Sequence, residues 1–317
     1  MVVFLLLVVF FRDFYVFQTD PFPFFPLKLE SSCALYLVPF PFYLRKVSIP
    51  TNSIIISTYN RPDALKKCVE SIFMQTQFPD EIVIADDGSG RETVELVSRL
   101  KESSPVKMLH VWQEDNGYQL ARIRNRSFAA ASGEYLVQID GDLILDRHFV
   151  SDHLRMAKLG TFVGGARTMM DEDLTKMVLN GEVRFEDIPT YKDHLRLRSN
   201  AVRSRFLSLL AYLYQRHRRN YKYVFGCNMA FWKKDLLTVN GYDESFKGWG
   251  KEDNELTVRL QNAGVKLRFI KFGAMTYHLH HKVADLSSMM ANEEKLNQTI
   301  KEGLTFAPSG ISNYLEQ

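Results

Sequence analysis

Cysteine is scarce in this chain. The three present, Cys33, Cys68 and Cys227, are an odd number without metal-ligand spacing, which argues against a disulfide framework and for a reducing compartment. The apolar run at residues 2–11 stops at Arg12 and Asp13 after ten residues, short of the roughly 18–20 that a spanning helix needs. No basic stretch precedes it and no small-residue cleavage site follows, so it makes a poor signal peptide. A Gly-Lys-Ser/Thr loop is missing altogether, and Gly88-Ser-Gly90 lacks the third glycine of a dinucleotide fingerprint. Any nucleotide is therefore held by neither a P-loop nor a Rossmann device. Charge of one sign is also lacking: 40 Lys and Arg face 37 Asp and Glu, a net +3, too little for a nucleic-acid protein.

What is present suffices for a sizeable core, since 46% of 317 residues are hydrophobic; one large domain or one and a half fits that length. Residues 1–47 stand apart. Prolines at 21, 23, 26, 39 and 41 oppose helix and central strand, and ten of the 23 phenylalanines fall within the first 50 residues. A membrane-associating extension, a disordered segment, or a start codon placed too early all fit this stretch, the last best. The ordered domain is expected over 48–285, split at about 145 into a nucleotide-sugar half and an acceptor half, with a helix and tail over 286–317.

From residue 53 the pattern alternates. Apolar strand runs at 53–57, 81–85, 106–112 and 135–139 are separated by stretches with helical spacing at 64–74, 92–100 and 121–131. That predicts an α/β fold with a mostly parallel central sheet flanked by helices. Ligands bind such sheets beyond the carboxyl ends of the strands. Thr58-Tyr59-Asn60, Asp86-Asp87 and Asp140-Gly-Asp142 all fall at those ends. In the last, alternation puts both carboxylates on one side of the backbone, within reach of one hard divalent cation.

The second half is less regular. Helix is expected at 149–159, strand at 162–167, and a mobile loop or short helix at 171–187. Residues 192–222 carry nine Lys and Arg against Asp193 alone, around an apolar stripe of Phe206, Leu207, Leu209, Leu210, Leu213 and Tyr214. They read as one basic amphipathic helix, either packed on the domain or drawn to an anionic membrane or phosphate-bearing lipid. Its aromatics belong to the stripe or follow it, so nucleic acid is not the partner expected. A strand-like run at 223–232 contains Asn228. Glu252, Asp253 and Glu255 open a helix, where its dipole favours acids by about 0.3–1 kcal/mol each. Trp249 between Gly248 and Gly250 is poor helix-starting material and suggests a residue placed for a ligand. A strand at 266–271 precedes His278, His280 and His281.

Taken in order, Ser-Thr-Tyr-Asn-Arg-Pro62, Asp-Asp-Gly-Ser89, Asp115-Asn-Gly-Tyr-Gln-Leu-Ala-Arg122 and Asp-Gly-Asp142 resemble a family 2 glycosyltransferase of GT-A fold, over roughly residues 52–282. Trp249-Gly-Lys-Glu-Asp253 is similar to a motif of galactosyltransferase-type and chondroitin-polymerase-type GT-A enzymes. The resemblance implies a nucleoside pocket at Thr58, Tyr59, Asn60 and Arg61, with Asp86 accepting from the base and Asp87 nearby. It also implies Arg122 near the donor diphosphate and Asp142 as the surest ligand of Mn2+ or Mg2+. Asp140 would meet the ribose or reach the metal through water, and His278, with His281 second, would complete the metal site. Asp253 would be the catalytic base, Glu252 would bind acceptor hydroxyls, and Trp249 and Asn228 would line the acceptor side.

On that resemblance the chain is an inverting hexosyltransferase, using a nucleotide-diphosphate sugar, UDP-linked, and a saccharide or lipid-linked acceptor. Bacterial surface polysaccharide synthesis is the setting, and the location cytoplasmic or peripheral at the inner face of the cell membrane. A retaining or metal-independent transferase on the same fold, and a carbohydrate- or nucleotide-sugar-binding protein without catalysis, stay open.

Overall fold

The computed structural model describes residues 49–214, 220–282 and 285–315. Expectations for residues 1–48, and for Arg216, Arg218 and Arg219, lie outside that range. Pro50–Gln317 cluster as one unit. Its first half runs β1 (Asn52–Thr58), α1 (Pro62–Phe73), β2 (Glu81–Asp86), α2 (Arg91–Ser103), β3 (Lys107–Trp112), α3 (Leu120–Ala130) and β4 (Tyr135–Asp140). There follow β5 (Leu143–Leu145), α4 (Phe149–Met156), β6 (Thr161–Gly164), β7 (Thr168–Met170), α5 (Glu172–Asn180), β8 (Leu195–Arg196) and α6 (Arg205–Tyr214). The chain ends with β9 (Asn228–Trp232), α7 (Lys233–Thr238), α8 (Glu252–Asn262), β10 (Lys266–Phe269), β11 (Thr276–His278) and α9 (Met289–Glu302).

Every residue of β1 is buried, because its two faces serve two cores. Ile54 and Ile56 pack with Ile82, Ile84, Val137 and Ile139, while Ile55 packs with Val83 and Leu136 on the other side. A strand covered on both faces has to be apolar at successive positions, hence the unbroken runs in the sequence. The seven-stranded order is β10-β6-β9-β4-β1-β2-β3. β1 is parallel to β2 and β4, and β9 alone runs antiparallel to its neighbours β4 and β6. The carboxyl ends of β1, β2 and β4 therefore share one sheet edge, as the alternation predicted.

A second, four-stranded sheet, β5-β11-β7-β8, sets the geometry of the site. β5 begins one residue past Asp142, and β11 pairs antiparallel with it, His278 opposite Leu143. The Leu279 N–H donates to the Asp142 carbonyl at 2.9 Å. Strand pairing thus brings two residues distant in sequence side by side.

One stretch takes the short-helix alternative of the sequence reading, and a second differs from it. Residues 171–187 hold a well-ended helix: Asp171 caps α5 by accepting from Leu174 N–H at 3.0 Å, and Gly181 closes it at φ 78°, the left-handed conformation glycine tolerates. Residues 192–222 are not one helix. Leu195 and Arg196 pair with β7, and Leu197 turns at φ 58°. Arg203 is pinned to Asp152 at 3.0 Å, so only 205–214 coil as α6. Tertiary partners break a segment that composition alone would make continuous. Among the described side chains of its apolar stripe, Phe206, Leu207 and Leu210 are exposed at 69%, 38% and 45%.

Candidate active site

At the β1 and β2 ends the polar residues first satisfy one another. Asn60, at φ 47°, accepts from Gly90 N–H at 2.8 Å, and its own N–H donates to Ser89 Oγ at 2.9 Å. Asp86 is fully buried, accepting from Ser89 N–H at 2.8 Å and meeting His110 Nε2 at 3.0 Å. Asp87 accepts from Gln119 N–H and Gln113; burial pushes its carboxyl up to about 6 against these two hydrogen bonds. Both acids thus shape the loop at the sheet edge, and Asp86 has no exposed oxygen to offer a base. Thr58 is buried beneath them, while Tyr59 is exposed with its hydroxyl on Asp115 at 2.9 Å.

Asp142, His278 and His281 come together, one ligand atom from each lying within 4.8 Å of the others. Asp142 Oδ1 lies 3.5 Å from His278 Nε2, and its Oδ2 lies 3.3 Å from His281 Nε2 and 3.2 Å from Arg61 Nη1. The fit to a cation is good on two counts. Asp142 Oδ1 is buried without a hydrogen-bond partner, a state that ordinarily costs about 1–3 kcal/mol. Burial also drives His278 down to about 4, so its imidazole is neutral and able to ligate. Two imidazoles and a carboxylate form a mixed nitrogen–oxygen donor set suited to a divalent metal. His280, by contrast, is exposed.

Asp140 is not in that cluster. It is held by Arg124, a fully buried cation on α3 that joins the two halves of the site. Arg124 Nη2 donates to Asp140 Oδ1 at 3.0 Å and Nη1 to Asp253 Oδ1 at 2.9 Å, while Nε meets Ser57 Oγ at 3.2 Å. Tyr242 OH also donates to Asp253 Oδ1, at 2.7 Å. All of these bonds to Asp253 fall on Oδ1, and none of them takes Oδ2. Removing one partner of such a buried set typically costs about 3–5 kcal/mol. Asp140, Arg124, Glu252 and Asp253 line one cavity of about 260 Å³, together with Tyr118, Arg167, Phe225 and Trp249.

Gly226 lies against Asp253, and a Cβ at that position would overlap the carboxylate. Gly226→Ala is therefore expected to displace Asp253, and a reaction that uses this carboxylate should slow by about 10²-fold, the scale of a one-ångström misplacement. An unchanged rate in the folded variant would place the working carboxylate elsewhere.

Glu252, also almost fully buried, accepts from Gly250 N–H at 3.1 Å. Burial first, then the neighbouring Asp253 charge, push its carboxyl up to about 8; Arg124, 3.9 Å away, offsets only part. The unfolded chain gives up this proton near 4.5 and the folded chain near 8, so the stabilisation is complete below 4.5 and gone once pH passes about 8. The melting temperature of the wild type should fall across that window by more than that of Glu252→Gln, then level off. Parallel curves would show that Glu252 is not the source.

Three residues sit apart from their expected roles. Asn228 is fully enclosed, with Nδ2 on the Ala166 and Ala274 carbonyls at 3.0 and 3.3 Å and Oδ1 on His153 Nε2 at 2.9 Å. It ties β9 to its surroundings and offers nothing to an acceptor. Arg122 turns to the Tyr314 hydroxyl, and Arg124, two residues on, reaches the site instead. Asp140 pairs with that arginine, where the ribose or a water-bridged metal was expected. Arg124, Tyr242 and Arg167 escaped the sequence reading. A signal for Arg124 existed: Ala121, Ile123, Arg124, Asn125, Ser127 and Phe128 form the inward face of α3, which places Arg124 and Asn125 among apolar residues and leaves Arg122 off it.

A mostly parallel sheet flanked by helices, with acids at its carboxyl edge, is the fold of a GT-A glycosyltransferase. The model described as "Glycosyl transferase family 2" matches residues 53–233, and "N-terminal domain of galactosyltransferase" matches 209–282. The chain belongs to glycosyl transferase family 2. It is 28% identical over 241 residues to a chondroitin synthase of Escherichia coli, covering 71% of this chain and 34% of that protein. It is likewise 28% identical over 261 residues to a validoxylamine A glucosyltransferase of Streptomyces hygroscopicus subsp. limoneus, covering 77% and 55%. This chain thus spans between a third and a little over half of these curated relatives. Among solved structures, S. aureus TarS has a similar fold, with TM-score 0.55 and 15% identity over 83% of this chain and 41% of that one. Among the described residues no helix is long and apolar enough to cross a membrane.

Proposed function

We propose that this chain is an inverting, metal-dependent glycosyltransferase that moves a sugar from a UDP-linked donor to a hydroxyl of a saccharide or lipid-linked saccharide. The observation that carries the reading is the pairing of Asp253 with Asp140 through one buried guanidinium, on the wall of a single cavity beside the Asp142–His278–His281 cluster. S. aureus TarS has been solved with UDP and with UDP-GlcNAc, which favours a uridine donor.

The acceptor hydroxyl enters past Trp249, where an exposed indole offers a sugar platform. Asp253 Oδ2 takes its proton as the hydroxyl oxygen bonds to the anomeric carbon. Arg124 and Tyr242 hold the carboxylate in place, and Glu252, protonated at neutral pH, donates to a substrate oxygen. Asp142, His278 and His281 would hold Mn2+ or Mg2+, which would supply positive charge for the leaving diphosphate. The bacterial relatives suggest surface polysaccharide assembly, and the exposed apolar side chains of α6 beside Arg205 suggest contact with the inner face of the membrane. One observation favours a metal-independent variant: Arg61 already places a cation on Asp142 Oδ2.

Thermal shifts over a panel of nucleotide sugars with Mn2+ test the reading. A UDP-sugar should raise the melting temperature only with the metal present, and no shift from any nucleotide sugar would overturn it.

A further inference from the structure

Arginines in and around this site are mostly spoken for. Arg124 serves Asp140 and Asp253, Arg61 serves Asp142, and Arg203 serves Asp152. Arg167, in the link between β6 and β7, differs. It is half-buried on the cavity wall, and among the described residues its guanidinium meets only soft partners. Nη1 donates to the Cys227 thiol at 3.5 Å, and the group lies over the Phe225 ring, 5.4 Å from its centroid. Yet its charge is close enough to act on Asp140, Asp142 and His278. A guanidinium partly removed from water, oriented by a ring and unmatched by a carboxylate, is a site for an external anion.

Position decides which anion. The rest of that wall carries Asp140, Glu252 and Asp253 beside Lys222 and Lys251, the latter paired with Glu293 at 3.6 Å. The charge of Arg167 acts on Asp142 and His278, so an anion held by it lies on the side of the carboxylate–imidazole cluster. We propose that Arg167 binds the diphosphate of the donor and stabilises it as the leaving group, an assignment that rests on the transfer reading above. When the bond from the anomeric carbon to the diphosphate oxygen breaks, its electron pair stays on that oxygen, and Arg167 meets the added charge. The acceptor oxygen forms the new bond and its proton goes to Asp253, so atoms and charge balance.

The test compares UDP with uridine by titration calorimetry in Mn2+, on the wild type, Arg167→Met and Arg167→Lys. Methionine keeps an apolar stem over Phe225 and removes the charge. Its UDP affinity should fall about 10–100-fold, as expected for loss of a charge-assisted hydrogen bond, while uridine affinity holds and lysine recovers part of the loss. Wild-type UDP affinity in Arg167→Met, or equal loss of UDP and uridine, would overturn the assignment while leaving the transferase reading intact. A wild type that binds neither ligand would instead overturn the donor reading and this assignment with it.

Discussion

Asp253→Asn should lower the turnover of sugar transfer by about 10²–10⁴-fold, the range a positioned general base supplies, and leave UDP affinity almost unchanged. The amide oxygen can still accept from Arg124 and Tyr242 at the Oδ1 position, so the buried guanidinium keeps its partners and the fold survives. The proton acceptor facing the cavity is what disappears. Alanine would be the wrong probe, since it strips Arg124 of one carboxylate contact and confounds stability with chemistry. Steady-state kinetics with a melting curve on the same preparation check this. Glu252→Gln is the companion: it should lose less, because a carboxyl held protonated is a donor rather than a base. The reverse ranking would move the base to Glu252.

The second large effect concerns the metal. Chelation with EDTA should abolish transfer and Mn2+ should restore it. Asp142→Asn and His278→Gln should each weaken Mn2+ binding by at least the roughly 10–100-fold that loss of a mere supporting partner costs. Saturating Mn2+ at about 100 times its dissociation constant stabilises a folded protein by about 2.7 kcal/mol, so the metal-induced rise in melting temperature should shrink in both variants. His281→Ala should have a smaller effect, since that ring is more exposed than His278. Transfer that persists in EDTA, with Arg61→Met inactive, would favour the metal-independent variant.

How far the fold could be read from the sequence follows from burial. β1, β2 and β4 are covered on both faces, so their apolar runs are unmistakable, and the acids at their ends mark one edge. His278 was placed through resemblance, and the β5–β11 pairing gives its physical cause, which no local pattern displays. Misreadings arose where long-range partners decide. Asn228 looks like a polar residue in a strand and so a candidate for substrate, until His153 and two carbonyls claim all its groups. Residues 192–222 look like one helix until pairing with β7 and the Arg203–Asp152 ion pair divide them. Arg122 and Arg124 are indistinguishable by charge, and only the helical phase of α3 tells which one turns inward.

The most direct measurement is acceptor-dependent UDP release from UDP-sugars in Mn2+, with a mixture of acceptor saccharides, comparing the wild type with Asp253→Asn. The account predicts that at least one UDP-sugar gives release in the wild type that rises with acceptor and is nearly absent in the variant. Acceptor-dependent release of equal size in both would contradict it.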